Sequence, residues 1–168
     1  IIISDIMMPG MDGKELCSKL KKDDRTSHIP VIMLTARAST HDKIEGLECG
    51  ADDYLFKPFS MKEIEVRIQN LLEQRQRLRK KYSEYIGLNW DEITVITPDE
   101  QFLKKATGII AGNLHDFSFD VGVLKDQMAL SESTLFRKLK ALTGESPSGL
   151  IRIMRLNKAA SMLRNNEQ

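Results

Sequence analysis

Three side chains of complementary chemistry stand where three short apolar runs end: Asp5, Thr35 and Lys57. A carboxylate can act as a nucleophile toward phosphorus. An ammonium can neutralise phosphoryl charge, and a hydroxyl can donate to a phosphoryl oxygen. A lone Asp at such a point is more often a turn former. Three such residues in order, each closing its own run, are more specific and indicate a small anion-handling site.

The elements that would position these residues follow from hydrophobic patterning. Apolar runs bounded by turn residues predict strands, and helical periodicity fills the segments between them. The predicted strands are 1–5, 30–35 and 54–56, and the predicted helices are 14–22 and 39–49. Alternation of this kind predicts βαβ units and a parallel sheet covered on both faces. Because parallel strands end at one edge, where open α/β sheets bind ligands, the three residues are expected to meet there.

Composition narrows the class of protein without naming a partner. The 168 residues are 41% hydrophobic and 29% charged, with a net charge of +1, which is typical of a globular protein of one or two small domains. No apolar run approaches the roughly 20 residues needed to span a bilayer, so no membrane contact is expected. Cys17 and Cys49 lack metal-ligand spacing and fit a reducing cytoplasm better than a disulfide framework.

A long helix is predicted from Ser60 to Tyr85, with Ser60 and Glu63 forming a capping box. Its apolar positions alternate at spacings of four and three, interrupted by Arg75. They are Ile64, Ile68, Leu71, Leu78, Tyr82 and Tyr85. This pattern fits a homodimer seam through helix 60–85, and it equally fits a solvated terminal helix that pairs with nothing. We assign 73–96 to a helical extension and linker, of which 86–96 is irregular.

The remainder of the chain is predicted to be helical. Thr97, Pro98 and Glu100 begin a helix with a cap, a first-turn proline and a capping box. Short helices are predicted at about 121–128 and 131–142, and a longer one from Ser146-Pro147 to about Asn165. The two short helices, joined by a tight turn, are predicted to share a small core. It consists of Leu124, Met128, Leu130, Leu135 and Leu139.

The second short helix has a basic side, predicted to be exposed. It carries Ser133, Thr134, Arg137, Lys138 and Lys140. Residues 131–164 hold seven Lys/Arg against two Glu, an excess that suits contact with a phosphate backbone. An arginine near the start of such a helix can read guanine in the major groove. Charge and pattern alone fit an ordinary helical hairpin with a solvated basic face slightly better.

The first part of the chain resembles the receiver domain of two-component response regulators over about 1–72. The resemblance lies in three motifs at family spacing: Ser4-Asp5-Ile6-Met7-Met8-Pro9-Gly10-Met11-Asp12-Gly13, Leu34-Thr35-Ala36 and Gly50-Ala51-Asp52-Asp53-Tyr54-Leu55-Phe56-Lys57-Pro58-Phe59. It implies that Asp5 is the phosphoacceptor for a histidine kinase, that Thr35 senses the phosphoryl group and that Lys57 pairs with it. Tyr54 is implied to be a switch aromatic that rotates inward, and the Lys57-Pro58 bond is implied to be cis.

The same resemblance implies a magnesium site. In the family, Mg²⁺ binds the acceptor aspartate, here Asp5, the backbone carbonyl two residues later, here Met7, and an acidic pair after the first strand. That strand and its acidic pair would precede Ile1. Mg²⁺ prefers octahedral oxygen coordination, and Asp5 with one carbonyl makes a poor site. We therefore expect this chain alone to bind Mg²⁺ weakly and to be phosphorylated poorly.

From about Thr97 to Arg164 the chain resembles the first helix-turn-helix unit of AraC-type transcription regulators. The resemblance lies in Phe136-Arg137-Lys138-Leu139-Lys140-Ala141-Leu142-Thr143-Gly144-Glu145-Ser146-Pro147 and Arg155-Leu156-Asn157-Lys158-Ala159-Ala160. It implies base contacts by Ser133 and Arg137 and phosphate contacts by Lys138 and Lys140. Ala129 replaces the usual turn glycine and Lys125 replaces a small residue. The family's second unit would follow Gln168, so weak, salt-sensitive DNA binding is expected.

Together these features predict an α/β plus all-α architecture. The first part (1–72) is a partial doubly wound parallel-sheet receiver that holds the family's last three strands and helices. A helical extension and linker (73–96) connects it to a helix-turn-helix subdomain (97–168).

The predicted function is a phosphorylation-controlled DNA-binding transcription regulator and not an enzyme. The arrangement also resembles the end of hybrid two-component sensors, whose kinase module lies elsewhere. The alternative is a receiver-like protein-interaction scaffold that binds neither phosphoryl groups nor DNA. A phosphatase built on Asp5 would need a second acid, which we do not find.

Overall fold

The computed structural model describes residues 1–36, 49–86 and 97–166. The predicted helix at 39–49, apart from Cys49, lies outside these residues, and so does the predicted linker at 86–96, apart from Ile86. The chain divides into two compact units, Ile1–Gln76 and Arg77–Gln168. No helix among the described residues is both long and apolar enough to cross a membrane.

The first unit contains a parallel sheet of strand order β1-β2-β3. Its strands are β1 (Ile2–Asp5), β2 (Val31–Thr35) and β3 (Asp53–Phe56). In the register, Asp5 lies opposite Leu34 and Thr35 lies opposite Phe56. Helix α1 (Gly13–Lys22) connects β1 to the rest of the unit. The predicted parallel sheet with helices is therefore confirmed.

The central strand β2 is covered on both faces, as its continuous apolar sequence predicts. Val31 and Met33 point to one face, where they pack with Cys17 of α1. Ile32 points to the other face and packs with Leu55 and with helix α2 (Met61–Tyr85). Burial on both sides fixes the register of the strand, because a shift of one residue would exchange its two faces.

Helix α2 supplies apolar side chains to both units, which explains its heptad-like spacing. Ile64, Ile68 and Leu71 belong to the core of the first unit, and Tyr82 is buried in the core of the second. Four of the six seam residues are thus packed within one chain, whereas Leu78 is 37% exposed. The alternative of a helix that pairs with nothing is wrong, because these four side chains contact the two cores. Residues 77–86 fall within the second unit, and of these Tyr82 and Ile86 are buried in its core.

The second unit is helical throughout its described part. Its helices are α3 (Pro98–Gly112), α4 (Val121–Met128), α5 (Glu132–Thr143) and α6 (Pro147–Asn166). Thr97 caps α3 in a reciprocal capping box with Glu100, as predicted. The core contains Phe102, Leu103, Ala106, Ile110, Phe119, Leu124, Met128, Leu135, Leu139, Leu142, Leu150 and Ile151. Each of these four helices contributes to it, so α4 and α5 are held from several sides.

Candidate functional site at the carboxyl edge of the sheet

Asp5, Thr35 and Lys57 stand at the carboxyl ends of the three strands. Asp5 is the last residue of β1 and Thr35 the last of β2, while Lys57 follows β3 directly. The Lys57 amide donates to the Thr35 carbonyl at 2.8 Å, which extends the ladder of the sheet by one step. The parallel register thus places all three residues at one edge, as the sequence predicts.

The side chains of Asp5 and Lys57 form an ion pair at this edge. The Lys57 ammonium donates to Asp5 Oδ2, and the Met7 amide donates to Asp5 Oδ1 at 3.1 Å. These hydrogen bonds, first that of Lys57 and then that of Met7, hold the pKa of Asp5 below the ordinary aspartate value of 3.8. The two side chains remain 33% and 40% exposed. Asp5 is therefore an ionised carboxylate that a reagent from solution can reach.

The pKa of Asp5 provides a direct test of this pairing. A Lys57→Met variant removes the ammonium, so we expect the pKa of Asp5 to rise toward 3.8. Because pairing depresses the pKa in the folded state, its stabilising effect is present above the ordinary pKa and is lost as pH falls through the folded value. Carbon-13 NMR titration of the Asp5 carboxyl measures the shift. An unchanged pKa, equal to that of a Lys62→Met control, would show that no such pair exists.

Tyr54 lies in β3 with its ring against the core of the first unit. Its hydroxyl lies 3.2 Å from the Cys49 Sγ atom. Burial and then this contact raise the pKa of the Tyr54 phenol. The Cys17 thiol donates to the Cys49 backbone carbonyl at 3.5 Å. Burial raises the pKa of the Cys17 thiol to about 12. The sequence analysis did not predict that these cysteines neighbour Tyr54. The turn at Gly50, with a φ of 79°, separates Cys49 from Tyr54, and Cys17 reaches the same cluster from α1.

Gly13 is a second residue whose role the sequence analysis missed. Its amide donates to the Ile6 carbonyl at 3.0 Å, which closes the turn after Asp5. A Cβ atom at this position would stand 2.2 Å from the Asp5 backbone oxygen and 2.7 Å from Met33 Cε. Only glycine lets α1 begin so close to the backbone of Asp5. The signal in the sequence is a glycine directly after Asp12, the residue that caps α1.

The residues at this edge do not by themselves fit a magnesium ion. Mg²⁺ requires near-octahedral coordination by oxygen atoms. Among residues 1–36, 49–86 and 97–166, no group of three or more His, Cys, Asp or Glu side chains could hold a metal. Asp12 accepts a hydrogen bond from the Glu15 amide at 2.8 Å as the cap of α1. Of the magnesium ligands that the receiver resemblance implies, this edge supplies the Asp5 carboxylate and the Met7 backbone carbonyl.

The predicted exposed face of α5 requires a correction. Lys138 is 0% exposed and Thr134 is 6% exposed, so neither lies on an outer face. The Lys138 ammonium stands 4.3 Å from the centre of the Phe102 ring and 3.9 Å from Asp99 Oδ1. Positions 134 and 138 are one helical turn apart and lie beside the buried Leu135. Both residues were predicted to be exposed because their side chains are polar, but their positions on the helix bury them.

Ser133, Arg137 and Lys140 are exposed on α5, as predicted. Arg137 Nε donates to the Ser133 carbonyl at 3.2 Å, and the Lys140 ammonium donates to the Gly144 carbonyl at 2.6 Å. Phe136 joins this outer face and is 47% exposed. Together the four side chains present hydroxyl, guanidinium, ammonium and aromatic groups on one exposed side of a helix.

The turn that leads into α5 is tight. Ala129 adopts a left-handed conformation with a φ of 56°, which glycine adopts with less strain. The Leu130 amide donates to the Lys125 carbonyl at 3.0 Å, and Ser131 caps α5 through the Thr134 amide at 3.2 Å. The order of helix, short turn and capped helix that the sequence predicts is therefore present.

Comparison with known proteins bears on the first unit. The family model described as the response regulator receiver domain matches residues 1–69. This match supports the receiver domain that the sequence motifs predict, over residues 1–69. The implied cis peptide bond between Lys57 and Pro58, in this segment, is present in the structure.

Individual relatives extend this comparison. Histidine kinase P4 of Formosa agariphila is 48% identical over 167 residues, which are 99% of this chain and 12% of that protein. The DNA-binding dual master transcriptional regulator RpaA of Synechocystis is 43% identical over 98 residues, 57% of this chain and 40% of that protein. The crystal structure of a histidine kinase receiver domain from Syntrophus aciditrophicus is 42% identical, covering 44% of this chain and 56% of that one with a TM-score of 0.41. The chain thus spans less than half the length of these two curated relatives.

Proposed function

We propose that Asp5 accepts a phosphoryl group from a phosphohistidine of a histidine kinase. An Asp5 carboxylate oxygen would attack phosphorus and form an acyl phosphate, while the phosphorus–nitrogen bond breaks and the imidazole leaves with its electron pair. The observation that carries the proposal is the exposed Asp5–Lys57 pair at the carboxyl edge of the sheet. The pairing of Lys57 with Asp5 supports a role for its ammonium in neutralising phosphoryl charge.

Two neighbouring residues would transmit the change. In this proposal the Thr35 hydroxyl donates to the phosphoryl oxygen, and Tyr54 shifts in response. Thr35 closes the central strand beside the Lys57 backbone, which supports its place in the mechanism. A switch also requires two states with different contacts. The contact of the Tyr54 hydroxyl with Cys49 Sγ would characterise one of them.

The labelling experiment uses radioactive phosphoramidate, a small phosphohistidine substitute. Wild-type chain should take up phosphate that hydroxylamine releases, as it does from an acyl phosphate, and Asp5→Asn should take up none. The extent of labelling should be low, because Asp5 and one carbonyl make a poor metal site. Asp12→Asn is the matched control, since asparagine also caps helices well. Equal labelling of Asp5→Asn and wild type would refute the proposal.

A second proposal concerns DNA, which α5 would contact in the major groove. It is supported by the capped helix with exposed Ser133, Arg137 and Lys140 and by the resemblance to AraC-type regulators. In this proposal phosphorylation of Asp5 controls the contact with DNA, as the resemblance to hybrid two-component proteins suggests. Lys138 and Thr134 have no place in the interface, because both are buried.

An Arg137→Ala variant tests the DNA proposal. Loss of one base-contacting arginine costs about 1–3 kcal/mol, so we expect roughly fivefold or greater weakening in a fluorescence anisotropy titration with duplex DNA. Lys105→Ala, which removes an exposed cation from α3, is the control and should change affinity little. If both variants bind DNA like wild type, α5 is not the interface. Failure of both DNA binding and labelling would instead favour the protein-interaction scaffold.

A further inference from the structure

A groove in the second unit has the size of a small-molecule site. It has a volume of about 470 Å³, within the range of about 300–1,000 Å³ typical of ligand pockets. It lies between the start of α4 and one side of α6. Its lining consists of Phe119, Asp120, Val121, Ser148, Ile151, Arg152, Arg155, Leu156 and Ala159. Neither Asp5 nor the outer face of α5 contributes to it.

The walls of the groove are mostly apolar. Phe119 and Ile151 form its buried side, while Leu156 is 62% exposed although it lines the groove. An apolar occupant would remove this exposed surface from water, which is favourable in proportion to the area covered. The groove therefore suits a ligand that has a hydrocarbon portion.

Two arginines, Arg152 and Arg155, contribute to the lining of the groove. Arg155 Nη2 donates to the Asp116 carbonyl at 2.7 Å and to the Phe119 carbonyl at 3.0 Å, which fixes the direction of its side chain. Its Nε and Nη1 atoms make no hydrogen bond to the residues that the structure describes, so they can donate to a ligand. Arg152, one turn away, is exposed and makes no hydrogen bond or ion pair among the described residues. Guanidinium groups of this kind bind carboxylates through paired hydrogen bonds.

The charges around the groove favour an anion. Among the described residues, the only acidic member of its lining is Asp120, whose Oδ1 accepts from the Val123 amide at 3.0 Å as the cap of α4. Helix α6 carries Arg152, Arg155, Lys158 and Arg164 and no acidic residue. Asp116 lies outside the lining, near Arg155, and its Oδ1 accepts from the Ser118 amide at 2.8 Å. With both carboxylates engaged locally, the two arginines of the lining favour an anionic ligand.

We propose that this groove binds a small amphipathic carboxylate, with its hydrocarbon chain along Phe119, Ile151 and Leu156 and its carboxylate at Arg152 and Arg155. Such a ligand would touch both α6 and the first turn of α4, the helix that precedes α5. The second unit would then have an input of its own, independent of phosphorylation at Asp5.

Isothermal titration of the 168-residue chain with decanoate, below its micellar concentration, tests the proposal. Decanoate should bind with one-to-one stoichiometry and shift the amide NMR signals of Ser148 and Ile151. Decyltrimethylammonium, which has the opposite charge, and butyrate, which lacks the long chain, should not bind. Failure of decanoate to bind, or equal binding of the cation, would overturn the proposal.

Variants locate the binding. Arg152→Gln should weaken decanoate binding about fivefold, as expected for loss of one exposed ion pair. Ala159→Trp should block the groove and abolish binding, and circular dichroism checks that each variant is folded. Arg164→Gln, on the same helix but outside the lining, is the matched control. Unchanged decanoate binding in a folded Ala159→Trp variant would overturn the proposal. The proposal would also be overturned if the wild-type chain is a dimer and the Ala159→Trp substitution makes it a monomer, because a second copy would then occupy the groove.

Discussion

A Lys138→Ala variant is expected to lose about 3 kcal/mol of stability in the second unit, the range seen when one member of a buried charge pair is removed. Lys138 is 0% exposed and its ammonium lies over the Phe102 ring and near Asp99. Alanine removes both contacts, opens a cavity and leaves the Asp99 carboxylate without this partner. Urea unfolding followed by NMR signals of residues 97–166 would report the loss.

Two further variants separate charge from packing at this position. Lys105→Ala, at an exposed site on α3, should change stability by less than about 0.5 kcal/mol. The double variant Lys138→Met with Asp99→Asn keeps the shape and removes both charges, so it should recover most of the loss. If Lys138→Ala unfolds like wild type, the buried cation contributes nothing to the fold.

The second large effect is expected at Gly13. A methyl group there would overlap the Asp5 carbonyl oxygen, which is a backbone atom of a strand and cannot rotate away. Forced overpacking typically costs about 1–3 kcal/mol, and we expect Gly13→Ala to lie near the upper end. The same displacement should move the Asp5 carboxylate relative to Lys57, so phosphoramidate labelling should fall as well.

Gly108→Ala is the matched control for this substitution. Gly108 lies inside α3, and a methyl group added there would meet no atom within 4 Å among the described residues. Alanine should therefore stabilise the helix by up to about 1 kcal/mol. Thermal unfolding measures both variants. Opposite signs are predicted, and equal stability of Gly13→Ala and wild type would disprove the close approach.

Much of the fold was accessible from local sequence signals. Each strand was predicted to within one residue, because apolar runs end at turn residues or at Pro30 and Pro58. The cap at Thr97 and the turn before Ser131 were also found, since both depend on residues close in sequence. The meeting of Asp5 with Lys57 followed from one rule, that parallel strands end at a common edge.

The errors arose where distant residues decide the outcome. Lys138 was placed on the surface because lysine is rarely buried without a partner, and its neighbours Asp99 and Phe102 come from a helix more than thirty positions earlier. The spacing of α2 fitted a partner helix and a solvated helix equally, yet four of its six seam residues pack into two cores of the same chain. Periodicity shows that a face is buried but not what buries it.

The most direct test of the central claim is to locate the phosphoryl group. After treatment with phosphoramidate, the modified residue can be trapped by borohydride reduction of the acyl phosphate and identified by peptide mass spectrometry. Our account predicts modification at Asp5, absent in Asp5→Asn and present in Asp12→Asn. Modification at another carboxylate, or its persistence in Asp5→Asn, would contradict the assignment of this edge of the sheet as a phosphoacceptor site.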